Sequence, residues 1–179
     1  MQTTNSNQRT MVTGLFPDRR SAETAYEAAH ARGYGRDDVN LVMSDATRNT
    51  HFVGTTAGRE TELGNKAAEG AGIGGAVGGT VGAILAAIAA VGTTLLVPGL
   101  GLVIAGPLAA AVAGAGAGAA SGGLIGALIG WNIPEERVKE YEEGIKNGGI
   151  LMGLRTKNED DAVHLEESWR TNNGQHVYR

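Results

Sequence analysis

The side chains that most often carry chemistry are present in this chain, but not in the arrangements that chemistry needs. His30, His51, His164 and His176 stand far apart, without the short spacing that offers two imidazoles to one metal ion. They read as surface histidines, and no metal is expected. Glu159, Asp160 and Asp161 supply adjacent carboxylates, as general acid–base catalysis would require. They follow Asn158 at the start of a helical pattern, however, where negative charge simply complements a helix N-terminus. Ser21, Ser44, Ser121 and Ser168 have no neighbouring base and no nucleophile-elbow motif. The glycine-rich run at 114–118 looks superficially like a dinucleotide fingerprint, but it lies inside a helical pattern with no strand before it. No catalytic residue and no cofactor are expected, and the chain reads as non-enzymatic.

What the sequence does contain is two ladders of small residues, each stepping by four. The first is Gly70, Gly74, Gly78, Gly82, Ala86, Ala90 and Thr94; the second is Gly106, Ala110, Gly114, Gly118, Gly122, Gly126 and Gly130. Residues four apart lie one above another on a helix, so each ladder predicts a groove almost free of side chains. Such a groove lets a second helix approach backbone to backbone, the packing mode of a glycine zipper. From Ala71 to Trp131 there is no Asp, Glu, Lys, Arg or His. Helices of this kind must be surrounded by something other than water.

The remainder of the chain is ordinary. The net charge of −4 is mild, and Lys and Arg never cluster, so nucleic acid is not an expected partner. The absence of cysteine excludes disulfides and thiolate chemistry and fits a reducing cytoplasm. The first ten residues, MQTTNSNQRT, form a polar tail without the apolar core of a secretory signal. Secretion is therefore not expected.

The flanks of the ladders predict the two halves of one split domain. In residues 11–63, Met11–Phe16 reads as a strand, and Asp18 caps a helix with Ala22, Ala25, Tyr26 and Ala29 on one face. Gly33 ends that helix, and Val39–Met43 reads as a second strand. A polar stretch, Asp45–Glu62, then links to the ladders. In residues 133–179, Pro134 opens a helix with Val138, Tyr141 and Ile145 on one stripe, which Gly148 and Gly149 end. Ile150–Leu154 reads as a strand, Asn158 starts a helix that buries Ala162, Leu165 and Trp169, and His176–Tyr178 is a brief last strand. Two βαβ units of this size predict an α+β fold of the ferredoxin-like type, a four-stranded antiparallel sheet with two helices on one face. The helix at 134–148 is an addition to that plan.

Residues 64–132 then form an inserted Gly/Ala-rich helical hairpin. The pattern predicts one helix from about Lys66 to Val97 and another from Pro107 to about Trp131. These are roughly 45 and 35 Å long, and either could cross a bilayer core of about 30 Å. Ten Ile, Leu and Val residues of the first helix favour insertion by roughly 3–6 kcal/mol. The seven glycines between Gly114 and Gly130 cost the second helix about 6–7 kcal/mol of propensity, which contact with other helices can recover and lipid cannot. The tip, with Pro98, Gly99, Leu100, Leu102 and Pro107 as its marked residues, carries no polar anchor. It is expected to sit in an apolar environment, as a wedge in a bilayer or inside a protein assembly. On this reading the flanks should fold even without the hairpin.

Several segments together resemble the bacterial general stress protein and low-temperature-induced protein family. They are MVTGLF, then SAETAYEAAHARGYGRDDVNLVMS, the hairpin with VPGLG and AGPLAAA, and NIPEERVKEYEEGIKNGGILMGL. The resemblance covers roughly residues 11–170 and contains no catalytic motif. It implies a stress-induced, non-enzymatic protein that associates with membranes. Residues and resemblance together lead to three expectations. The first is a stress-response protein that self-associates through its glycine zipper and associates with membrane or lipid. The second is a soluble homo-oligomer, a filament or shell, with its hairpins packed in a dry interior. The third is a ligand-sensing βαβ domain with a membrane anchor. The expected location is the cytoplasmic face of the inner membrane or a cytoplasmic assembly.

Overall fold

The structure is a computed structural model that describes residues 10–53, 94–97, 101–107, 109, 128 and 133–179. The expected polar tail, except Thr10, lies outside the described residues. So do the rungs Gly70, Gly74, Gly78, Gly82, Gly114, Gly118, Gly122, Gly126 and Gly130, and the tip residues Pro98, Gly99 and Leu100.

The fold is α+β, built on an antiparallel sheet. Its strands are β1 (Met11–Phe16), β2 (Val39–Ser44), β3 (Thr94–Val97), β4 (Leu102–Ala105), β5 (Ile150–Arg155) and β6 (Gln175–Tyr178), in the order β3-β4-β2-β5-β1-β6. The helices described from end to end are α1 (Arg19–His30), the short α2 (Asp45–Arg48), α3 (Glu135–Lys146) and α4 (Glu159–Thr171). A 3₁₀ turn at Arg36–Asp38 leads into β2. One π-type turn at Asn49–Val53 continues α2 into the polar linker.

Local chemistry explains the elements of the flanks. Asp18 accepts a hydrogen bond from the Ser21 amide at 2.8 Å, capping α1, and Asn158 accepts one from the Asp161 amide at 2.8 Å, capping α4. Period-two burial then sorts the strands between two faces. Val12, Phe16, Leu41, Met43, Val103, Ile150, Met152 and Leu154 join one apolar cluster with α1 and α4. Leu15, Val42, Leu102, Ile104 and Leu151 join another with α3. With both faces covered, the strands read as continuous apolar runs.

Three expectations about the insertion need correction. The first helix cannot extend to Val97, because Thr94–Val97 is a strand in register with β4 from Thr94↔Ala105 to Val97↔Leu102. Thr94 is therefore not a helix rung. Where the tip is described it is not an apolar wedge: Leu102, Val103 and Ile104 are buried in the sheet, where β4 pairs with β2 from Leu41↔Ala105 to Ser44↔Leu102. A four-residue apolar run fits a buried strand as well as a helix, and the exposed main chain of β2 decides between them. Finally, the boundary at 64–132 does not separate insertion from domain, because β3 and β4 extend the domain's own sheet. Among the described residues, no helix is long and apolar enough to cross a membrane.

Candidate functional site

The second face of the sheet is where the ladder segment meets the domain. There, β4 contributes Leu102 and Ile104, β2 contributes Val42, and α3 covers them with Val138, Tyr141 and Ile145. Ala109 and Leu128, near the two ends of the second ladder, are fully buried in the same cluster, together with Ile133. The Ile133 amide donates to the Leu128 carbonyl at 3.4 Å, and the Ala109 amide to the Gly106 carbonyl at 3.0 Å. Pro107 and Ala109 are helical, as expected for the start of a second helix.

Gly106 has a different role from the one its spacing suggests. Its φ is +107°, and a Cβ there would lie 2.5 Å from the Val39 carbonyl oxygen and 3.0 Å from Asn40 Cα. Only glycine fits so close to β2 in that conformation. It serves the exit from β4 and is not a rung of a helix groove.

Tyr141 ties this face together. Its hydroxyl lies 2.8 Å from Thr13 Oγ1 and donates to the His176 carbonyl at 2.8 Å, linking α3 to β1 and β6. Burial pushes its phenol well above the usual range, although the Thr13 hydrogen bond pulls the other way. Beside it, the Arg137 guanidinium stacks 3.9 Å from the Tyr178 ring centroid, and Glu140 accepts from the Tyr178 hydroxyl at 3.2 Å. Glu140 also lies 3.1 Å from His176 Nδ1.

On the first face, Asp161 is the centre of a polar knot that sequence reasoning missed. Its carboxylate receives Arg32, the Tyr34 hydroxyl at 2.7 Å and the Asn158 amide group at 3.0 Å. The Tyr34 hydroxyl also accepts from the Lys157 amide at 2.8 Å. Desolvation opposes charge on Asp161, but the hydrogen bonds from Tyr34 and Arg32 outweigh it and hold the carboxyl below its ordinary range. Tyr34 is pushed up to about 12, first by burial. Glu159, Asp160 and Asp161 all lie in the first turn of α4, after the capping Asn158. The Asp161 partners Arg32 and Tyr34 lie 129 and 127 positions away, and no local pattern signals them.

The histidines are distributed over separate elements: His30 ends α1, His51 lies in the π-type turn, His164 is on α4 and His176 is on β6. Among the described residues, no group of three or more His, Asp or Glu is placed to hold a metal ion. The Tyr26 hydroxyl is buried without a hydrogen-bond partner among the described residues. The described geometry can therefore anchor the second ladder segment near both ends to the sheet, and its polar clusters join one element to another. No known family, curated protein or solved structure gives a significant match to the chain.

Proposed function

We propose that this is a non-enzymatic, self-associating protein whose glycine ladders pack against those of other copies, with the α+β domain as a rigid base. The observation that carries this reading is the placement of Ala109 and Leu128, which roots the second ladder segment in a buried apolar cluster. Anchors near both ends of that segment lower the ordering cost of association. Its glycine grooves favour close helix contact over contact with lipid. Burial within the tip also removes one reason to invoke a bilayer, since Leu102, Val103 and Ile104 already have an apolar environment.

The finer fold reading is ferredoxin-like, supported by the order β6-β1-β5-β2 and by α1 and α4 packing on one face. The β3-β4 hairpin extends that sheet beyond β2. Together with the sequence resemblance, this favours a bacterial stress-response role. The location that suits it is a cytoplasmic assembly or the cytoplasmic face of the inner membrane.

Gly118→Leu and Gly122→Leu test the reading by placing bulk where two backbones would meet. Both variants should lose oligomeric mass in crosslinking and light scattering while remaining folded. Native oligomer size in either variant would refute association through the ladder. Fractionation without detergent separates the two settings: an assembly in water leaves the protein in the soluble pool, and a lipid-bound one leaves it with membranes.

A further inference from the structure

The sheet has two edges, and they are built differently. At the β6 edge, pairing with β1 is interrupted by a register shift between Thr13 and Leu15. His176 there has φ of +47°. Its carbonyl accepts from the Tyr141 hydroxyl at 2.8 Å, and the next carbonyl, that of Val177, accepts from Arg170 at 3.1 Å. A bulged strand whose carbonyls are taken by side chains does not accept another strand.

Among the described residues, the β3 edge shows none of these devices. Thr94–Val97 pairs with β4 in unbroken register, and its four residues carry no charge and no proline. Among the described residues, β3 has a strand on one side alone. In an antiparallel strand, alternate residues turn their N–H and C=O groups to opposite sides, so half of these residues direct theirs away from β4.

We propose that β3 pairs antiparallel with β3 of a second copy, joining two six-stranded sheets into one. A second copy is the occupant that fits, because an antiparallel edge is self-complementary about a two-fold axis. The surrounding chain, free of charge from Ala71 to Trp131, lets two copies approach here without repulsion. The first ladder also runs directly into β3, so edge pairing and ladder packing are continuous along the chain. The inference rests on the self-association reading but names a different surface.

The chain contains no cysteine, so single substitutions report on this pairing without background. Thr94→Cys, Leu95→Cys, Leu96→Cys and Val97→Cys would be oxidised in dilute solution, with Gln175→Cys on β6 as the control. A dyad through the strand sets one residue opposite its own copy, within disulfide reach. The expected result is a disulfide-linked dimer that peaks at one β3 position and falls away at its neighbours, with none from Gln175. Hydrogen exchange on the unsubstituted chain gives a second reading: outward amides of β3 should become protected as protein concentration rises. An oligomer intact by light scattering, with no β3 crosslink and no such protection, overturns edge pairing and leaves ladder packing standing. A monomer at all concentrations overturns both. Equal crosslinking from Gln175 would mean random collision and also refutes the proposal.

Discussion

The two faces of the sheet are closed in different ways. The first face is covered by α1 and α4, elements that belong wholly to the flanks, and its largest side chains are aromatic. Trp169 meets the edge of Phe16 with ring centroids 5.5 Å apart and donates to the Ala25 carbonyl at 3.0 Å. The second face is more aliphatic and borrows its cover. Besides α3, it needs Leu102 and Ile104 from β4, and Ala109 and Leu128 from the ladder segment. The insertion reaches both faces, through Val103 and Ala105 on the first and Leu102 and Ile104 on the second, but among the described residues the ladder segment itself, with Ala109 and Leu128, joins the second face alone.

The largest effect that would break this contrast comes from replacing residues 64–132 with a short Gly/Ser linker. The sequence alone expects the flanks to survive that change, and the structure expects otherwise. Burial of Leu102, Val103 and Ile104 contributes about 1.5–3 kcal/mol each, and the sum approaches the whole stability of a typical domain. The excised protein should lose cooperative unfolding in circular dichroism. A sharp, wild-type-like transition would show that both faces close without the insertion.

Next in size is Trp169→Ala, which should cost about 3–5 kcal/mol in urea unfolding by opening a cavity on the first face. The oligomeric mass of the protein that remains folded should not change. Gly106→Ala follows, at about 1–3 kcal/mol, because alanine must accept both the positive φ and the contact with β2. It should lower the urea midpoint, whereas Gly118→Leu should lower the oligomeric mass. If Gly106→Ala left the midpoint unchanged and dispersed the oligomer, the residue would be a rung after all.

The smallest effect concerns pH. Asp161 titrates below its ordinary value of 3.8 in the folded protein, so its stabilisation is complete above the unfolded pKa and is lost as pH falls through the folded one. Asp161→Asn should therefore be less stable than wild type at neutral pH, and the gap should close below about pH 4. A constant gap across that range would mean that the carboxylate charge does not stabilise the knot.

Most of the flanking fold is legible because its signals are local. Asp18 and Asn158 cap the helices expected of them, Gly33 stands past the end of α1 with φ of +80°, and the apolar stripe Val138–Tyr141–Ile145 is buried. β3 and β4 are not legible in this way. Within a charge-free stretch, Thr-Leu-Leu-Val and Leu-Val-Ile-Ala carry no alternation; β4 is made a strand by β2, about 60 residues earlier, and β3 pairs with β4 in turn. Gly106 shares the four-residue spacing of the ladder but is set by a contact with Val39. For the candidate site, the spacing of the glycines is plain in the sequence. The anchoring of Ala109 and Leu128 depends on long-range packing that no periodicity encodes.

The central claim, that copies of this chain associate through their ladders, is tested most directly by sedimentation equilibrium of the 179-residue chain without detergent across a range of concentrations. The account predicts a mass well above the 18.3 kDa of one chain, returning toward 18.3 kDa in the Gly118→Leu variant. A single species of 18.3 kDa for wild type at every concentration would contradict it.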